Sequence, residues 1–174
     1  MLYTLAFPSL SASDTAFIES FRAKHQAKQS KVVAAHFTMV FGCETVPQAE
    51  YLQHVESVTQ ASNSIKFACR YAMLGADDED DSAYVFLVPN EGFAELSLLH
   101  DRLYSGVLSA HLRLDIPFVP HITIGRLAER HVAKSLCDAL NSRGVNIEGS
   151  IGALTVGVRE NEKIRSLASF ELQT

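Results

Sequence analysis

Two apolar stretches of the chain carry the same polar pair. In "AAHFTMVFG", residues 34–42, His36 stands two positions before Thr38. In "VPHITIGRL", residues 119–127, His121 stands two positions before Thr123. Side chains of a strand alternate between its two faces. The spacing therefore puts an imidazole and a hydroxyl on one face, about 7 Å apart along the strand. With seven histidines and eight threonines in the chain, two such pairs arise by chance in roughly one sequence in twenty-five. Their strand-like settings lower that further.

Two histidines with two hydroxyls suit phosphodiester cleavage without a metal. One imidazole, as general base, takes a proton from the attacking water or hydroxyl. The other, protonated, donates to the leaving oxygen. Both tasks fit a group that titrates near neutrality. The threonine hydroxyls can donate to the non-bridging phosphate oxygens and hold phosphorus between the imidazoles. The sharper rival is zinc, but such a site wants three or four protein ligands. No carboxylate lies in either run, and no H-E-x-x-H occurs. G-x-S-x-G, G-x-G-x-x-G and Walker patterns are also absent from the sequence, so no metal and no cofactor is expected.

The elements that must position these residues follow from periodicity. "MLYTLAF" reads as a strand ended by Pro8. "SASDTAFIESFRAKHQAK" reads as a helix capped by Ser13 or Asp14. "KVVAAHFTMVFG" reads as a strand whose core face holds Val33, Ala35, Phe37, Met39 and Phe41. A helix follows with Pro47 in its first turn, then the strand "SIKFACRYAMLG". The acidic run at 77–81 reads as a solvated loop. "AYVFLVP" is a strand, and "EGFAELSLLHDRLYSGVLSAHL" one long helix. "IPFVPHITIGRL" is a strand with prolines at its entry, and "AERHVAKSLCDALNSRG" a helix ended by Gly144. "VNIEGSIGALTVGVREN" and "KIRSLASFELQ" read as two last strands joined by a turn at Glu160 to Glu162. The two halves resemble each other in element order, and no linker divides them. One domain of two lobes is expected.

Composition narrows the function. The 174 residues carry a formal net charge of −5 with 47% apolar residues, enough for one core. Gripping a long duplex through its phosphates usually takes a basic face, so long nucleic acid is not expected as a partner. Cys43, Cys69 and Cys137 are odd in number and lack C-x-x-C spacing; they read as reduced thiols. No leader pattern and no apolar run of about 18 residues is visible, which points to a cytoplasmic protein off the membrane. His25, His54, His100, His111 and His131 lack a repeated partner and read as surface or helix-end residues. Tyr3, Phe7 and Tyr71 could stack a base, and Lys66 and Arg70 could meet phosphate. Ordinary packing or a solvated face is the better account of each, and they stand outside the expected site.

"HFTMVFG" and "PHITIGRL" resemble the paired H-x-[ST]-apolar motifs of the 2H phosphoesterase superfamily, which includes the 2′-5′ RNA ligase-like proteins and the cyclic phosphodiesterases. The resemblance implies an α+β fold of two pseudo-symmetric lobes, with antiparallel sheets forming a central cleft and helices on the outer faces. It implies a phosphodiesterase acting on 2′,3′-cyclic phosphates or 2′-5′ bonds of RNA ends or small nucleotides. A monomer is expected. His36 and His121 would be catalytic, with His121 leaning to the role of base, though no neighbouring residue decides this. Thr38 and Thr123 would bind phosphate. Pro120 and Arg126 fit the flank of the second motif; Met39 stands where leucine is common. Under strict alternation Arg126 faces away from His121, and it reaches the phosphate only if the strand bends or ends at Gly125. The alternative is a cleft that binds an RNA end or nucleotide phosphate without turning it over.

Overall fold

The computed structural model describes residues 1–76, 81–160 and 163–174. Its strands are β1 (Leu2–Ala6), β2 (Ser9–Leu10), β3 (Phe37–Cys43), β4 (Ile65–Ala76), β5 (Ala83–Glu91), β6 (Ile122–Leu127), β7 (Ile147–Ile151), β8 (Ala153–Glu160) and β9 (Lys163–Glu171). Its helices are α1 (Ala12–His25), α2 (Ala27–Ser30), α3 (Gln48–Gln60), α4 (Phe93–Leu103) and α5 (Arg130–Arg143), with a short 3-10 helix at Gly106–His111. No helix among the described residues is long and apolar enough to cross a membrane.

The strands form one curled antiparallel sheet in the order β2-β7-β4-β5-β6-β3-β1-β8-β9. At its middle, β6 and β3 are joined only through Phe37 opposite Ile122. The sheet thus falls into two wings, each ending centrally in one His-x-Thr strand. The expected α+β fold with two antiparallel lobes is what forms. The lobes are not the two sequence halves, however. The hairpin β4–β5 belongs to the wing of His121, and the C-terminal pair β8–β9 to the wing of His36. The segment read as one strand from Val145 is two strands separated at Gly152. β7 pairs with β4 and β8 with β1, so the chain changes wings there.

Helices cover the face opposite the histidines. Tyr51 of α3 shares a 2.8 Å hydrogen bond with Thr4, which lies across from buried Val40. His25 of α1 approaches Gly125 of β6 on the side of buried Val85. Phe37 packs edge-on to Phe67 at 5.1 Å, and Phe37, Met39, Ile122 and Ile124 are fully buried. This apolar layer supplies most of the stability that fixes the two motif strands.

Several boundaries differ from the periodicity. Ser11, not Ser13 or Asp14, caps α1, its hydroxyl accepting from the Asp14 N–H at 3.1 Å. Pro47 stands at the cap of α3, one position before its first turn. The long helix after Glu91 breaks after Leu103, and Gly106 takes a φ of +50° that favours glycine. Both motif strands start late, at Phe37 and Ile122, so each histidine sits one residue before its strand. Pro117 and Pro120 explain the second delay, since they lack the N–H a ladder needs. The acidic run lies outside the described residues except for Asp81, which is exposed and bonds Arg130 at 2.7 Å. The turn after Glu160 also lies outside them. Cys43, Cys69 and Cys137 are buried free thiols.

Candidate active site

The central crossing assembles the two motifs. In an antiparallel pair, residues directly opposite share a face. Phe37 and Ile122 face each other in the core. The residues flanking them, His36 and Thr38 on one strand and His121 and Thr123 on the other, therefore turn to the other face. All four are half-buried there. The imidazoles are close enough for the charge of one to act on the other.

The two histidines are held alike. His36 Nδ1 lies 2.7 Å from the Ala34 carbonyl oxygen, and His121 Nδ1 lies 2.6 Å from that of Val119. A carbonyl only accepts, so each Nδ1 carries the proton and donates it. Each neutral ring then presents a proton-free Nε2, the atom a general base uses. In both motifs the partner is the carbonyl two residues upstream. Among the described residues neither threonine hydroxyl is engaged by another protein group.

Burial pushes the His36 imidazole down to about 4. The Ala34 carbonyl acts to raise it, the charges of Arg22 and His121 lower it, and Glu19 raises it. Burial also lowers His121, opposed by its bond to Val119. The pH dependence follows from these directions. Below both values no base remains, and above both no acid remains. With both values lowered in the free protein, kcat/KM for a phosphodiester is expected to peak on the acid side of about 6.5, the ordinary histidine value. A bound phosphate anion favours the charged imidazole, so kcat should hold to higher pH than kcat/KM before falling. Initial rates between about pH 4 and 9 at low and saturating substrate measure both limbs.

A β-bulge follows the threonine of each motif. Leu5 pairs with Thr38 but Thr4 with Val40, leaving Met39 extra. Phe86 pairs with Thr123 but Val85 with Gly125, leaving Ile124 extra. Bulges switch the side-chain alternation. Met39 and Val40 consequently both point into the core, and Phe41 turns out of it, 41% exposed. This corrects the expected core face, which included Phe41. The same switch brings Arg126, paired with Tyr84, onto the face of Phe86 and Thr123. Its guanidinium carbon lies 5.9 Å from the Tyr84 ring centre. Arg126 also lines a hollow of about 290 Å³ with Lys24, His25 and Glu129 at the end of β6.

Other residues support the site without a signal in the motifs. Phe86 stacks on the His121 ring at 3.8 Å and fits because Gly75 beneath it has no side chain; a Cβ there would collide with the ring. Phe7 meets His36 edge-on at 6.0 Å. His100 lies in the last turn of α4, at a helix end as expected, but it is buried: it is 4% exposed and stacks on Phe118 at 3.6 Å, anchoring the segment that leads into His121. His54 is also tethered, its Nε2 2.8 Å from the Leu103 carbonyl. Arg70 pairs with Glu91 and Glu148. Cross-strand stacking and long-range tethers of this kind have no sequence periodicity to betray them.

Known proteins share the family and the fold. The family model described as the 2′-5′ RNA ligase superfamily matches residues 8–163. The fold is similar to that of LigT from E. coli in apo form, with 19% identity, 99% of this chain and 97% of that chain covered, and a TM-score of 0.59. It is also similar to TT0787 of Thermus thermophilus, with 18% identity, 99% and 97% covered, and a TM-score of 0.60. Usb1 of Kluyveromyces marxianus shares the fold at 10% identity, with 95% and 96% covered and a TM-score of 0.56. No curated protein sequence matches the chain.

Proposed function

Because the chain belongs to the 2′-5′ RNA ligase superfamily of 2H phosphoesterases, a membership that supports phosphodiester chemistry, we propose that its cleft cleaves 2′,3′-cyclic phosphates or 2′-5′ bonds of RNA ends or small nucleotides by two-histidine acid/base catalysis. The observation that carries this reading is the mirrored pair: two imidazoles, each tied through Nδ1 to a carbonyl, with a threonine beside each. For a cyclic phosphate the step balances with water alone. Water oxygen forms a bond to phosphorus, and one ribose oxygen–phosphorus bond breaks. One Nε2 takes the proton lost by water, and the other, protonated, gives its proton to the departing ribose oxygen.

Thr38 and Thr123 hydroxyls donate to the non-bridging oxygens, where negative charge grows as water adds. Arg126 stands along the same face beyond the bulge, and in this reading its guanidinium meets a phosphate oxygen or a neighbouring phosphate. Phe41, exposed on the side of Thr38, offers an aromatic face to a base. LigT of E. coli has been crystallised with 3′-AMP, NADP+ and ATP, which supports a nucleotide-sized ligand for this cleft.

The test is hydrolysis of a 2′,3′-cyclic mononucleotide and of a 2′-5′ dinucleotide in the presence of EDTA. Turnover of either that survives the chelator is the expected result. Turnover abolished by EDTA and restored by a divalent metal would remove the two-histidine mechanism. Saturable binding of both substrates with no product after long incubation would leave a binding cleft instead.

A further inference from the structure

The most deeply buried charge in the described structure lies next to the site and is not part of the chemistry. Arg22 of α1 is 2% exposed. Its Nη1 donates to both carboxylate oxygens of Glu19 at 3.0 Å, its Nη2 to the Val33 carbonyl at 2.8 Å, and its Nε weakly to Gln26 at 3.5 Å. Glu19 in turn accepts the Ala35 N–H at 2.8 Å. The pair therefore grips the backbone on both sides of Ala34. The Ala34 carbonyl between those grips is the group that accepts from His36 Nδ1.

Burying a guanidinium is expensive unless every part of it is paired. A helix that needed only to pack would place an apolar residue here. The ion pair instead supplies what a sheet partner would have given: Arg22 donates to the Val33 carbonyl and Glu19 accepts from the Ala35 N–H, in a segment that leaves the β-ladder before Phe37. At the second motif Pro117 and Pro120 stiffen the approach covalently, and the Glu19–Arg22 pair has no counterpart among the hydrogen bonds described there.

We infer that Glu19 and Arg22 are positioning residues for His36: as a pair they lock the Val33–Ala35 backbone, and through the Ala34 carbonyl they set the tautomer and the orientation of the catalytic imidazole. They touch neither substrate nor the reacting atoms. Arg22, Glu19 and His121 are the charged or titratable groups that act on His36, the first lowering and the second raising its titration. The pair thus also balances charge beside the ring. The catalytic consequence rests on the proposed function; the structural one does not.

The experiment follows the ring signals of His36 and His121 by NMR across pH in the wild type, Glu19→Gln and Arg22→Gln. In Glu19→Gln the amide oxygen can still accept from Ala35, but Arg22 is left uncompensated, so His36 should titrate lower. In Arg22→Gln the carboxylate remains, so His36 should titrate higher and lose the single Nδ1–H tautomer. His121 should keep its titration in both. On a 2′,3′-cyclic nucleotide each variant should lose about tenfold in kcat with KM little changed, the signature of a misoriented group. Glu19 is partly solvent-exposed, so Glu19→Gln stays informative if Arg22→Gln does not fold. Shifts of His36 in one common direction, no shift, or equal movement of both histidines would overturn the inference. Since ring titration needs no turnover, a wild type inactive on every phosphodiester would count against the function and leave the positioning result standing.

Discussion

His36→Ala and His121→Ala are each expected to lower kcat for the phosphodiester substrate at least about a hundredfold while the protein stays folded. The magnitude is that of a missing general acid or base. Folding is spared because both rings lie at the mouths of their strands, half-buried; each hydrogen-bonds a carbonyl two residues away and touches one aromatic ring, Phe7 for His36 and Phe86 for His121, outside the core layer. The core beneath them is made by Phe37 and Ile122, which neither change touches. The two variants should also respond differently to pH. With one imidazole gone, the bell collapses to a single limb, and which limb survives reveals whether the remaining histidine serves as base or acid. Circular dichroism and thermal unfolding confirm the fold. A folded His121→Ala protein with wild-type turnover would end the two-histidine account.

Thr38→Ala and Thr123→Ala should each cost about a hundredfold in kcat/KM, and Thr→Ser at either place should restore most of it. The argument is one of hydroxyl position. Each threonine stands two residues after its histidine, just ahead of the bulge that ends regular alternation. Its hydroxyl is not engaged within the described protein, so a phosphate oxygen gains a donor at no cost to an existing bond. Serine keeps the donor with a freer rotamer. The loss should fall on kcat more than on KM if the donors act mainly on charge that develops during reaction. Equal activity of Thr→Ala and wild type at both sites would show that the phosphate is held elsewhere.

The motif strands show why part of the site was legible and part was not. His36, Thr38, His121 and Thr123 are separated by two, and period two is a local property of any strand. Their shared face could be read from the letters. Arg126 could not be placed so, because strict alternation turns it away from His121. A bulge at Ile124 reverses that, and nothing in "ITIGRL" specifies a bulge; it is decided by how β6 lies against Val85 and Phe86. Strict alternation likewise puts Phe41 in the core, and the matching bulge at Met39 turns it out.

The interleaving of the wings is likewise a long-range fact. The element order already implied two similar lobes. Which strands join which lobe depends on pairings such as β8 with β1, which bring together residues more than a hundred positions apart. The strand expected from Lys31 fails before Phe37, where Glu19 and Arg22 take backbone groups that a neighbouring strand would otherwise have claimed. By itself the sequence determined the two His-x-Thr pairs of the candidate site, their two-residue spacing and the alternation of helices and strands, because each is set by neighbours along the chain. Only the tertiary structure decided that the two motifs meet at Phe37 and Ile122, that bulges aim Arg126 and Phe41, and that a buried ion pair holds His36 in place. Those outcomes depend on contacts made across space, and local periodicity does not encode them.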